Sequence, residues 1–383
     1  MLRNSLQKSP TLSRSYNHFA NVFSNGILEP TISTRTLSTS SRSNCTDNPL
    51  MLHHEWIIDG KVQSSHTSAS SASAASSSSS SSGSNNDGNV IVFLHGLLGN
   101  NKNLRTPAKK LSIETGVTAL MIDLRGHGLS QLQAHNSIGN GYGEEEPHSI
   151  HNCANDVIHT LQQLNLTGLS SPKYMCGHSF GGRCALSYHH ILTTSTPTSS
   201  QTQVKPPQHT WILDSCPGKA HSSVANVIQA VSSIQMPVRT KQQLVQILTQ
   251  EKNIDQAIAS WMTTNLKQTN QPHEKGFDFM FDLEVVHSIL QDFTNQDMMQ
   301  LLRECMLHSS TVEPSSSSSS NGTIHKIIAS RNESWTPDIL QELNSIQNMQ
   351  DANANLNLVT LDAGHWVHID AFDALLDNMI KEF

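Results

Sequence analysis

Charge is scarce in this chain. Charged residues make up 14% of its 383 positions, well below the usual quarter, and they sum to −7. With no Lys/Arg cluster to offset that balance, a nucleic-acid binder is excluded on electrostatic grounds. No apolar run approaches the ~18 residues of a membrane span, so no transmembrane segment is expected. The six cysteines (Cys45, Cys153, Cys176, Cys184, Cys216 and Cys305) contain no Cys-x-x-Cys spacing, which favours buried reduced thiols over a disulfide or metal framework. The 21 histidines are scattered, without a His-Glu-x-x-His pair, so no metal is expected. No Gly-x-Gly-x-x-Gly string follows a strand, and no nucleotide cofactor is expected either. An N-terminal secretory apolar core is also lacking.

What is present is concentrated in a few short strings. Gly177-His178-Ser179-Phe180-Gly181-Gly182 fits the Gly-x-Ser-x-Gly elbow, in which a strand turns sharply into a helix and holds a serine hydroxyl above a sheet. Its context fits too. Lys173 to Cys176 reads as a short buried strand leading in, and Arg183 to Leu192 as a helix leading out. Upstream, Val90 to Leu94 is a continuous apolar run of the kind seen in buried parallel strands, and it ends in His95-Gly96-Leu97-Leu98-Gly99. Downstream, the strand Leu356 to Leu361 is followed by Asp362-Ala363-Gly364-His365-Trp366. That is where the base falls in the chain order Ser…acid…His.

On Phe93 to Gly99, Asp123-Leu124-Arg125-Gly126-His127-Gly128-Leu129-Ser130, Gly177 to Gly182, and Ala363-Gly364-His365-Trp366-Val367-His368, the chain resembles the α/β-hydrolase superfamily. Within it, the chain is similar to the small esterases typified by abhydrolase domain-containing protein eleven and their bacterial relatives. The resemblance covers roughly residues 50–383. It implies an α/β fold, with a mostly parallel central sheet, helices on both faces and a helical cap. It further implies a serine hydrolase acting on a small or medium acyl ester or thioester through an acyl-enzyme, without a cofactor. Carbon–carbon bond hydrolysis or acyl transfer on the same residues is the alternative, and a non-catalytic ligand- or protein-binding member of the fold is another, since fold does not fix function.

Along the chain, residues 1–43 carry Arg3, Lys8, Arg14, Arg35 and Arg42 against the single acid Glu29 and are rich in Ser and Thr. That composition suits a transit peptide and predicts a mitochondrial address, with plastid or cytoplasmic locations as alternatives. The hydrolase domain is expected over 50–383. Three low-complexity polar loops interrupt it, at 64–89, 193–208 and 314–322, with too little apolar content to join a core. Leu52 to Gly60 reads as an edge strand. Helices are expected over 103–114, 151–166 and 372–383, and strands over 117–122, 210–213, 324–329 and 356–361, an alternation that implies a parallel sheet. Residues 219–310 break it, reading as helical throughout, and are expected to form the cap.

A serine hydroxyl needs a base within hydrogen-bond reach. Ser179 is the expected nucleophile and His365 the expected base. The acid has three candidate sources: Asp214 at the end of strand 210–213, Glu333 after strand 324–329, and Glu284 or Asp282 in the cap. The resemblance favours Asp214, because the related esterases often lack the second acid and keep the first. An oxyanion hole is expected from the backbone N–H groups of Leu97 and Phe180, each worth roughly 3–4 kcal/mol in the transition state. His178 and His95 read as scaffold, and Asp123 or Arg125 as ties between loops around the elbow.

Overall fold

The computed structural model describes residues 51–63, 88–130, 148–194, 203–218, 222–269, 275–307, 322–349 and 355–383. The basic segment 1–43, most of the three polar loops and residues 131–147 lie outside the described residues.

The described residues open with β1 (His54–Ile58) and β2 (Lys61–Gln63), then alternate through β3 (Val90–Leu94), α1 (Arg105–Thr115), β4 (Thr118–Ile122), α2 (Ile150–Gln163), β5 (Tyr174–His178), α3 (Phe180–Thr194) and β6 (His209–Leu213). An insertion follows, comprising α4 (Ser222–Ser232), α5 (Lys241–Gln246), α6 (Gln256–Met262), the short pair β7 (Leu266–Gln268) and β8 (Phe277–Phe279), α7 (Leu283–Asp292) and α8 (Met298–Leu307). The alternation resumes with β9 (Thr323–Ala329), α9 (Pro337–Asn348), β10 (Asn355–Leu361), α10 (Val367–Asp370) and α11 (Phe372–Ile380).

Eight strands form one sheet in the order β10-β9-β6-β5-β3-β4-β1-β2. The pairings from β10 to β4 are parallel, and β1 pairs antiparallel with both β4 and β2. The expected edge strand over 52–60 is therefore an interior strand. The edge is β2, whose three residues are too short to leave a pattern in the sequence.

The central strands are apolar throughout because both faces are covered. In β3, Val92 and Leu94 face one core layer with residues of α2, α3, α8 and α9, such as Val157, Leu161, Cys184 and Leu302. Ile91 and Phe93 face the other, with Leu111 of α1 and Leu375, Leu376 and Met379 of α11. Helix α9 has no counterpart in the sequence expectation, although its Thr336 cap and Pro337 at the first turn are ordinary start signals.

The insertion is not helical throughout, since β7 and β8 form an antiparallel pair within it. Nor is it one layer. Leu98 of the body joins Ile228, Val231, Leu244, Leu248, Met262 and Phe279 in a separate cap core. By contrast, Met298, Met299, Leu302, Cys305 and Met306 of α8 pack into the body core. The last helix of 219–310 thus packs on α3 and α9 of the body rather than in the cap core.

Candidate active site

Sharp turns at the carboxyl ends of β3, β5 and β6 carry Leu98, Ser179 and Asp214. Ser179 follows β5 with φ 54°. Its N–H donates to the Leu213 carbonyl (2.9 Å), and its own carbonyl accepts from Gly182 and Arg183 as α3 begins. The turn is possible only with glycine on either side. A Cβ at 177 would overlap the Gly181 backbone, and one at 181 would overlap the Leu94 carbonyl. Asp214 follows β6 with φ 42°, and Leu98, in the loop after β3, has φ 62°. Backbone of this kind costs on the order of 1–3 kcal/mol per residue and clusters at functional sites.

His365 lies four residues beyond β10 and is partly exposed, while the Asp214 side chain is fully buried. Its Nδ1 stands 2.7 Å from Asp214 Oδ2. The same carboxylate accepts from Asn332 Nδ2 (2.6 Å), Trp335 Nε1 (2.6 Å) and the Ala329 N–H (3.1 Å). Glu333, the alternative acid, is solvent-exposed between two of those donors. Among the described residues, the carboxylate recorded on the His365 ring is that of Asp214. Asp282 caps α7 through the N–H groups of Glu284 and Val285, and Glu284 is exposed. Neither cap acid is brought to the His365 ring.

Three supports hold this arrangement, of which only His178 reads as scaffold from the sequence. The His178 ring donates from Nε2 to the His365 carbonyl (2.9 Å), tying the elbow to the loop that carries His365. Burial first, and then neighbouring His368 and His365, hold the His178 pKa well below its ordinary value, so the ring is neutral. Arg331 reaches Asp362 and Asp370, and Asp370 accepts the Gly364 N–H (2.8 Å), which brackets the same loop. Asn332 and Trp335 are the third support. Apart from the local Gly364–Asp370 bond, these contacts join segments distant in sequence, with no spacing that sequence could reveal.

The loop after β3 stands on the other side of the serine. A Cβ on Gly96 would lie 3.5 Å from Ser179 Cβ, so this backbone passes directly over the elbow. Two histidines clasp that loop to the turn after β4. His95 Nε2 accepts from the Leu124 N–H (3.0 Å) and its Nδ1 donates to the Gly96 carbonyl. His127 Nε2 accepts from the Leu98 N–H (3.1 Å) and its Nδ1 donates to the Arg125 carbonyl. Burial drives the His127 pKa down to about 3, which keeps Nε2 an acceptor. Asp123 accepts from Asn101 and Leu129, and Arg125 forms a buried two-point pair with Asp156. Phe180, opening α3, carries one of the first-turn N–H groups that have no partner within the helix.

From the cap, Trp261 approaches Trp366 (ring centroids 6.1 Å), which flanks the His365 ring at 6.3 Å. A separate cleft of about 570 Å³ on the cap is lined by Met236, Arg239, Lys252 and Lys275 among others. It contains none of these residues, so chemistry rather than volume marks the site.

A family described as serine aminopeptidase, S33 matches residues 85–264. The chain is similar to the sn-1-specific diacylglycerol lipase ABHD11 of Danio rerio, 26% identical over 216 residues, 54% of this chain and 57% of the relative. It thus spans little more than half the length of that curated relative. Among solved structures it resembles a marine microorganism esterase (TM-score 0.53, 16% identity, 76% of this chain and 94% of that one). It also resembles E-2-(acetamidomethylene)succinate hydrolase (TM-score 0.52, 13% identity, 76% and 90%). With the parallel sheet, the strained serine turn after β5 and these likenesses together, the chain has the α/β-hydrolase fold, with an ABHD11-like resemblance.

Proposed function

We propose that this protein is a serine hydrolase that cleaves a small or medium acyl ester or thioester through an acyl-enzyme. The observation that carries the reading is the 2.7 Å bond from His365 to a fully buried Asp214, beside a serine on a strained elbow. In this mechanism Ser179 Oγ attacks the acyl carbonyl and His365 Nε2 takes its proton. The buried Asp214 carboxylate holds the ring by Nδ1 and stabilises the imidazolium. The Leu97 and Phe180 N–H groups receive the negative charge on the carbonyl oxygen. Collapse of the tetrahedral adduct breaks the bond to the alcohol or thiol, which leaves with the proton from His365. Water, deprotonated by the same ring, then attacks the acyl-serine and releases the acid. The Trp261–Trp366 pair and the apolar cap core support an apolar acyl group, in keeping with the lipase and esterase names of the relatives.

The test is covalent labelling by a fluorophosphonate together with hydrolysis of acyl esters graded in chain length, diacylglycerols included. The wild-type chain is expected to label and turn over. Ser179→Ala, which removes only the attacking oxygen, is expected to do neither while keeping its circular dichroism. Labelling of the Ser179→Ala protein at wild-type rate would refute the assignment. The basic, Ser/Thr-rich composition of residues 1–43 supports a mitochondrial address, and a fluorescent fusion lacking residues 1–37 is expected to move to the cytosol.

A further inference from the structure

At the opposite end of the sheet from Ser179, three side chains far apart in sequence converge. His209 opens β6, His325 lies within β9, and Glu382 follows α11. Their ligand atoms all lie within 4.8 Å of one another. His209 Nδ1 stands 3.1 Å from His325 Nε2 and 3.5 Å from Glu382 Oε2. We propose that His209, His325 and Glu382 form a binding site for a divalent transition-metal cation of the zinc class, which clips the C-terminal residues to the underside of the sheet.

The spacing suits such an ion. Zinc bonds of about 2.0–2.2 Å to nitrogen and carboxylate oxygen put neighbouring tetrahedral ligands roughly 3.3 Å apart, between the two distances observed. Two imidazoles and one carboxylate are a zinc donor set, and they leave a fourth position for water. The rings are held for the purpose. Trp211 stacks on His325 (4.9 Å, 14°) and on His209 (5.7 Å, 22°), and Tyr174 stacks on the far side of His209 at 6.0 Å. Asn357 Nδ2 stands 3.3 Å from His325 Nδ1. Metal binding requires that amide to turn over, so that its oxygen accepts Nδ1–H and leaves the Nε2 electron pair for the metal, the usual outer support of a ligating histidine.

Bonding within the protein alone serves these groups poorly. Between two neutral rings meeting nitrogen to nitrogen there is room for one proton, yet three electron-pair donors converge there. Access is open on one side, because His209 and Glu382 are partly exposed while His325 is buried. From His209 to Asp214, β6 spans roughly 16 Å at about 3.3 Å per residue, so this site is separate from the hydrolytic one.

The experiment uses the full chain, stripped with a chelator, with Zn²⁺ titrated by calorimetry and thermal unfolding followed with and without the ion. One tight site per chain and a raised thermal midpoint are expected, since an ion that binds only the folded state stabilises it. His209→Gln and Glu382→Gln, both on the exposed side and conservative in size, are each expected to lose more than about tenfold in affinity and the thermal shift with it. His325→Asn is expected to do the same, and because that position is buried the other two variants decide if it does not fold. A wild-type chain with no tight site, or a tight site that persists in both Gln variants, overturns the proposal.

Discussion

Two loops leave adjacent parallel strands at the same end of the sheet, one after β6 and one after β9, and each carries a carboxylate, Asp214 in the first and Glu333 in the second. They differ in what surrounds that carboxylate. Asp214 is fully buried and its two oxygens take four hydrogen bonds. Glu333 faces solvent. A buried carboxylate without donors would cost several kcal/mol, so the fold must supply them. Three of the four come from the β9 segment, namely Ala329, Asn332 and Trp335. One loop thus bears the charge and the other bears the groups that hold it, which is a division of roles rather than a choice between two acids.

The most severe way to break that division is Asp214→Asn. It keeps the size of the side chain while removing the charge that orients and stabilises the His365 ring. A loss of about 10⁴-fold in kcat is expected, with the fold retained by circular dichroism. A variant with near wild-type kcat would show that the buried pair is structural only.

Next in size are the donors. Trp335→Phe and Asn332→Leu each strip a 2.6 Å bond from the carboxylate, and hydrogen bonds to charged groups contribute about 1.5–3 kcal/mol. Each variant is expected to lose stability of that order in denaturant titrations, with kcat falling far less than in Asp214→Asn. The loss should shrink when Trp335→Phe is placed in the Asp214→Asn background, because the charge it serves is gone. Additive losses would mean that the indole stabilises the loop by packing alone.

A smaller effect is expected from Lys326, beneath the junction of the two loops. This buried β9 residue donates to the Ser215 carbonyl (2.8 Å) and lies 5.3 Å from the Trp335 ring. Burial brings its pKa down from 10.5 to about 8. Between those values the unfolded chain holds a proton that the folded chain has released, so this group makes stability rise with pH across that window. Below about pH 8 the buried ammonium counts against the fold. Lys326→Met removes the titration. Its stability relative to wild type is expected to be greatest below about pH 8 and to decline as pH rises towards 10.5, in denaturant titrations at stepped pH. Parallel curves would mean that the amine does not titrate there.

How much of this was legible depends on whether the cause is local. The apolar run of β3 and the glycines of the elbow announce themselves, because burial on both faces and close backbone approach each dictate residue type at neighbouring positions. Apart from β2 and α9, the strands and major helices of the body emerged within a few residues for the same reason. The interior place of β1 was not legible, since it depends on the three-residue β2. The β7–β8 pair was equally hidden, because so short a ladder has no periodicity. The support of Asp214 was hidden for another reason. Asn332 and Trp335 flank Glu333, where a reading that looks for a carboxylate attends to the glutamate; their role exists only because the β6–β9 register sets Asp214 beside them. His209, His325 and Glu382 likewise meet only through that register and the placement of α11.

The smallest expected effect tests the other half of the comparison. Glu333→Gln removes the charge of the alternative acid after β9, while leaving Asn332 and Trp335 in place. The side chain is exposed, and surface substitutions away from caps, cores and networks usually stay within about 0.5 kcal/mol. Its distant charge is also screened by water and salt from the His365 ring. Stability and kcat are therefore expected to match wild type, measured beside Asp214→Asn on the same ester. The informative failure would be a collapse of kcat in Glu333→Gln with Asp214→Asn still active. It would mean that the β9 loop swings in the substrate complex to bring its own carboxylate to His365, and that the two loops exchange roles during turnover.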